Sequence, residues 1–247
     1  MKKLIPALCM LLIVATLLGT STYAWFSMNT TVTATGLEVT AKSNNVDLII
    51  GLENDLETVQ TDLKTEVEFT LTGDDVKVYP SAHETVANAT DAADVSNWYY
   101  KEADVASASA STKDAHVLTA FTDYVLVYNM YITLAEGSNP AQNLTVSATI
   151  ASNETSEEEA ATFAAVRALV VTDSAAAELS PATASSSTVL AASVTDEALI
   201  PVTVYVYYDG NDSTVYTNNI ANLDGATIDL EFRVSPADAP AEESAAD

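Results

Sequence analysis

The chain is short of cysteine, histidine and positive charge. It has one cysteine, two histidines and nine lysines and arginines, set against 35 aspartates and glutamates in 247 residues. Each shortage excludes something. The single thiol, Cys9, lies in an apolar N-terminal run, so the remainder has no disulfide, no thiolate nucleophile and no cysteine metal site. A chain of this length without disulfides must be held by one large core. The formal charge of −26 repels nucleic acid and anionic membranes, so neither is an expected partner. The acidic residues are spread over loops rather than gathered in one block. Solubility outside the cell, adaptation to salt and divalent-cation binding between acidic surfaces each account for that spread. Glycine and proline are scarce too, at seven each, while Thr, Val, Ala and Tyr are plentiful.

The N-terminus has an export pattern. Lys2 and Lys3 precede an apolar run from Leu4 to Leu18, and "GTSTYA" follows, with Thr22 and Ala24 in a small-x-small arrangement. The run is about 15 residues, short of the roughly 20 that span a bilayer as a helix. Cleavage between Ala24 and Trp25 by a signal peptidase is therefore expected, with residues 1–24 as signal peptide. That cut removes Cys9, Lys2 and Lys3, and leaves membrane contact to the precursor alone. No apolar stretch follows Val234 and no "LPxTG" signal is present, so retention at a cell surface is expected to be non-covalent.

The rest alternates with period two. "YVLVYNMYITL" puts Tyr124, Leu126, Tyr128, Met130, Ile132 and Leu134 on one face. "IPVTVYVYY" does the same with Ile200, Val202, Val204, Val206 and Tyr208. "ATIDLEFRV" sets Ile228, Leu230, Phe232 and Val234 inside and Asp229, Glu231 and Arg233 outside. "NLTVSATI" and "VEFTLTG" follow suit. Such alternation marks half-buried antiparallel strands. Shorter strand candidates are Val46–Ile50, Val76–Tyr79, Val166–Thr172 and Ser187–Ala192. Nine or ten strands are expected, in an all-β, jelly-roll-like antiparallel sandwich covering residues 25–234. One helix is expected in "NETSEEEAATFAAVRAL", where Thr155 and Glu158 form a capping box, and "GLENDLETVQTDLK" has room for a helical turn. "SAHETVANATDAADVSN", "KEADVASASASTKDA" and "DSAAAELSPATASSST" read as long loops. Residues 235–247 read as an acidic, disordered tail.

Chemical motifs are few. His83 is followed by Glu84, but the H-E-x-x-H spacing is absent, and His116 stands alone before an apolar stretch. A zinc site made by converging loops stays open; no nucleophile elbow is present. The expected catalytic, cofactor and metal residues are therefore none. Asp209–Asp212, "DGND", lacks the EF-hand spacing and reads as a hairpin turn with Gly210 or Asn211 at positive φ. Calcium use by the acidic loops is left as the one cofactor alternative. Trp98, Tyr99 and Tyr100 form a candidate ligand loop able to stack on a sugar or anchor a partner, or else a loop with its rings buried over the sandwich end. Glycosylation sequons occur at Asn29, Asn88, Asn143, Asn153 and Asn211.

Residues 20–42 bring a resemblance. "GTSTYAWFS" followed by "VTATGLEVTAK" resembles the N-termini of the TasA/camelysin family, exported with the signal-peptide class matched to the SipW signal peptidase. Gly36, Leu37, Glu38, Val39, Ala41 and Lys42 sit at that family's first strand, while Trp25 replaces the small residue that often opens the mature chain. The remainder agrees only in being β-rich, acidic and free of cysteine. The resemblance implies a jelly roll that polymerises into extracellular biofilm-matrix fibres, with the mature N-terminus completing a sheet in the next subunit. In this sequence the donor would be Trp25–Thr35, with Phe26, Met28, Thr30, Val32 and Ala34 on one face. Gly36 permits a bend that shifts the apolar phase to Leu37, Val39 and Ala41, so the strand can serve two sheets, belonging to two subunits or equally to one.

Three functions are compatible with these residues. The first is a secreted structural subunit that polymerises with itself or with related surface proteins, in the matrix or on the surface of a Gram-positive-type bacterium. The second is a monomeric surface module that binds carbohydrate or a host ligand at Trp98–Tyr100. The third, ranked last for want of a zinc motif, is a camelysin-like metallopeptidase.

Overall fold

The alternating runs become the long strands of two stacked sheets. The computed structural model describes residues 37–42, 47–69, 79–102, 114–152, 164–212, 215 and 226–237. The strands are β1 (Leu37–Lys42), β2 (Leu48–Gly51), β3 (Glu66–Phe69), β4 (Ser81–His83), β5 (Trp98–Glu102), β6 (Asp114–Val117), β7 (Leu126–Leu134), β8 (Ala141–Ser152), β9 (Val166–Val171), β10 (Ala176–Leu179), β11 (Ala191–Val194), β12 (Ile200–Tyr208) and β13 (Ala226–Pro236). Two short helices, α1 (Leu56–Asp62) and α2 (Ala89–Ala93), join them, with a 3₁₀ turn at Val95–Asn97. The first sheet runs β11-β8-β13-β1-β3 and the second β10-β9-β12-β7-β2. The chain crosses repeatedly between them, from β7 to β8 to β9 and again from β11 to β12 to β13, which is what buries one face of each.

The inner faces carry the residues that alternation selects. Met130, Ile132 and Leu134 meet Leu144 and Val146 of β8, Val202 and Val204 of β12, and Leu230 and Phe232 of β13. Packing of this kind contributes about 1.5–3 kcal/mol per large apolar side chain. Asp229, Glu231 and Arg233 fall on the outer face, where Arg233 donates to Glu231 at 2.8 Å.

Several expectations need correction. The sheets are antiparallel with one exception: β1 pairs parallel with β13, Leu37 opposite Ile228 through Lys42 opposite Arg233. Its other edge pairs antiparallel with β3. Thirteen strands are described rather than nine or ten. Three segments read as loops hold regular structure. "SAHETVANATDAADVSN" contains β4, α2 and the 3₁₀ turn, "KEADVASASASTKDA" opens in β5 and closes in β6, and "DSAAAELSPATASSST" contains β10. The strand expected at Ser187–Ala192 lies at Ala191–Val194 instead. β13 runs two residues past the expected tail boundary, pairing Ser235 with Gln142 and Pro236 with Ala141. β8 and β13 slip register between Arg233 and Ser235, and Asn143 stands there at φ 58°, a left-handed position that asparagine tolerates better than most residues. The capping box expected at Thr155 and Glu158 and most of the strand expected at Val76–Tyr79 lie outside the described residues, while the end of the expected helical stretch gives way to β9 at Val166.

Helix α1 is built locally. Asp55 caps it, its Oδ2 accepting from the Thr58 amide at 3.0 Å. Its Val59 packs directly over Gly51, and a Cβ at residue 51 would overlap Cγ2 of Val59. Gly51→Ala is expected to destabilise the fold by about 1–3 kcal/mol through overpacking. A shift of the urea midpoint, with Val59→Ala restoring part of it, checks this. An unchanged midpoint in the single variant would show that the contact is soft.

Candidate functional site

A second apolar layer sits on the outer face of the second sheet. β12 is buried on both faces over its last four residues: Val206 and Tyr208 face the main core, while Tyr205 and Tyr207 face outwards. β9 does the same, with Leu169 and Val171 outwards. A third sheet of β4-β5-β6, with α2, covers them. It is anchored where the Gly210 amide donates to the Ser81 carbonyl at 2.8 Å and the Ala89 amide to the Thr172 carbonyl at 2.9 Å.

Trp98 is the centre of that layer. It is 0% exposed, and its indole Nε1 donates to the Ala92 carbonyl at 2.9 Å. Phe121 and Tyr207 meet it edge-on, with ring centroids at 5.7 and 5.2 Å. The trio Trp98, Tyr99 and Tyr100 therefore lies on a strand, not a loop, and Trp98 is spent on packing. Tyr100 stacks between His116 and Tyr124 at 5.0 and 5.2 Å and is half-buried, as is Tyr99, whose hydroxyl accepts from Asn211 at 3.4 Å. Of the candidate ligand residues, only these two tyrosines reach the surface.

Beside Trp98 is a polar cluster that the sequence did not announce. His83, from β4, points one ring nitrogen at each of two oxygens. Nδ1 lies 2.5 Å from the Glu84 carbonyl and Nε2 lies 3.0 Å from Oε2 of Glu178 on β10. The same Oε2 accepts the Tyr207 hydroxyl at 2.7 Å. Arg167 of β9 faces Glu178 at 3.8 Å, Asp209 at 3.3 Å and Asp212 at 3.5 Å. The His83 and Arg167 side chains are 12% and 15% exposed. Burial pushes His83 down, but the hydrogen bonds to Glu178 and Glu84 and the charges of Glu178 and Asp209 outweigh it, leaving its pKa above the ordinary value. The His83 hydrogen bond, with help from Tyr207 and Arg167, holds Glu178 below the usual carboxylate range against the effect of burial. Burial, reinforced by the Glu178 carboxylate, raises Tyr207 well above its ordinary value. Both nitrogens of His83 and the hydroxyl of Tyr207 are engaged inside the protein. The arrangement clamps β4 to β9, β10 and β12.

The remaining expectations fall as follows. Asp209–Asp212 is a turn, with the Asp212 amide donating to the Asp209 carbonyl at 3.0 Å and the Asn211 amide to the Asp209 side chain at 2.8 Å. Neither Gly210 nor Asn211 has positive φ. Asn88, a sequon residue, caps α2 through its Oδ1. Ala24, Trp25, Phe26, Met28, Thr30, Val32, Ala34 and Gly36 lie outside the described residues; β1 begins at the next one. Among the described residues no three His, Cys, Asp or Glu side chains are grouped to hold a metal ion, and no helix is long and apolar enough to cross a membrane. No protein-family model matches the chain, and no curated protein is significantly similar to it.

Proposed function

We propose that the chain is a secreted structural subunit which polymerises with its own copies into extracellular fibres of a cell surface or biofilm matrix, by exchange of residues 25–35. The observation that carries this is the placement of β1. The strand directly behind the candidate donor is an inner strand, paired with β13 on one side and β3 on the other. The donor is thus joined to a strand in the middle of a sheet, at the end where Leu37 pairs with Ile228. Among the described residues its two large sheets end in edge strands of four residues each, β11 and β3 in the first and β10 and β2 in the second. An edge strand offers a row of backbone donors and acceptors to an added strand, and alternate side chains set the register. The N-terminal resemblance to TasA/camelysin proteins points the same way, and the acidic surface keeps the unassembled subunit soluble.

The test compares residues 25–247 with residues 36–247, each imaged by electron microscopy after concentration, with and without calcium. Filaments from the longer form alone are the expected result. Filaments from both would move assembly away from the N-terminus. Soluble monomers from both would overturn self-polymerisation and turn attention to ligand binding at Tyr99 and Tyr100.

A further inference from the structure

The third sheet covers an apolar face of the second, and one of its polar contacts carries exchangeable charge. We infer that His83 and Glu178 form a pH-dependent latch that fastens the third sheet over the second, closed in mildly acid solution and loosened in alkaline solution.

A neutral imidazole has one N–H and one lone pair. Here both nitrogens of His83 face acceptors: the Glu84 carbonyl at 2.5 Å and the Glu178 carboxylate at 3.0 Å. A carbonyl cannot donate. Glu178 is kept ionised, since it accepts from Tyr207 at 2.7 Å and faces Arg167. Only the imidazolium satisfies both contacts. Removing its proton turns one nitrogen lone pair towards an oxygen, which loses a hydrogen bond and adds a repulsion.

The groups around the ring favour the cation from several elements. Glu178 comes from β10, Tyr207 from β12 and Asp209 from the turn that follows it. Arg167, from β9, is the opposing charge, and it is itself held by Asp209 and Asp212. Trp98 packs on the ring from β5 at 4.8 Å. The folded pKa of His83 lies above 6.5, so its contribution is whole below 6.5 and fades as pH rises through the folded value. The folded pKa of Glu178 lies below 4.5, so its contribution is whole above 4.5 and fades as pH falls through the folded value. The latch is tightest between those two ordinary values. Opening it leaves β4 held at Ser81 by Gly210 and loosens the cover over Trp98, Leu169, Val171 and Tyr205.

Two readouts on the purified protein test this. The histidines are titrated by NMR, with His116→Gln identifying the His83 signals. Exchange protection of the Trp98 indole N–H, distinguished from Trp25 by Trp25→Phe, is followed from about pH 6 to about pH 9. His83 is expected to titrate above 6.5. Trp98 protection, corrected for intrinsic exchange, is expected to fall severalfold across the same midpoint. Glu178→Gln is expected to lower the His83 midpoint, and His83→Gln to leave Trp98 protection flat with pH. A His83 midpoint at or below 6.5 in the unaltered protein overturns the latch, as does Trp98 protection that ignores that midpoint. A Glu178→Gln protein with the unaltered His83 midpoint overturns the pairing.

Discussion

Trp98→Ala is expected to lower stability by about 3–5 kcal/mol, the range for emptying a fully buried large aromatic site. Three losses combine. The indole leaves a cavity lined by Phe121, Tyr205 and Tyr207, all within 5.7 Å of it by ring centroid. Its edge-to-face contacts disappear, each worth about 0.5–1.5 kcal/mol beyond burial. The Ala92 carbonyl loses its donor. The damage is expected to be local, because the main core between the two large sheets contains neither Trp98 nor its neighbours. The third sheet should loosen first. Two measurements check this: the unfolding midpoint, and the rate of tryptic cleavage at Lys101 on β5. A lowered midpoint with faster cleavage there is the expected pair. A lowered midpoint with unchanged cleavage would mean that the third sheet and the sandwich unfold as one.

The two large sheets were legible because their strands are long and one-sided. β7, β8, β12 and β13 each run nine residues or more, so the alternation of Met130–Leu134 or Ile228–Phe232 has room to declare itself. The third sheet was not. β4 has three residues and β6 four, too few for a period to show against the Ala, Ser and Asp around them. One signal was available: "VYVYY" is apolar at every position, which suits a strand covered on both sides better than a half-exposed one. The His83 cluster was hidden for a different reason. His83, Arg167, Glu178, Tyr207 and Asp209 come from four strands and a turn: the pairing of β10, β9 and β12 gathers the last four on one sheet, and the third sheet brings His83 to them. No local spacing reports such a contact. The parallel placement of β1 beside β13 is of the same kind, since it joins the first described strand to the last.

That placement leads to the second large effect. Removing residues 1–42 is expected to abolish cooperative folding, whereas removing residues 1–35 is expected to leave a folded monomer. β1 supplies hydrogen bonds to β13 over six register positions and to β3 over four. Without it β13 has an open edge beside Leu230 and Phe232, and β3 loses the partner that holds Val67 in the core. An inner strand cannot be compensated by water, because the backbone groups it leaves behind are flanked by apolar side chains. Circular dichroism and thermal melting of chains starting at residues 36 and 43 give the comparison. A sharp transition in the first and a broad or missing one in the second is the expected outcome. A peptide of residues 36–42 added in trans should restore part of the transition, because it binds only the folded arrangement of β13 and β3 and draws the chain towards it. A cooperative melt for the chain starting at residue 43, near that of its longer counterpart, would overturn the inner role of β1. It would also remove the main support for export of residues 25–35 to a neighbour, because the donor would then hang from a dispensable edge rather than from the middle of a sheet.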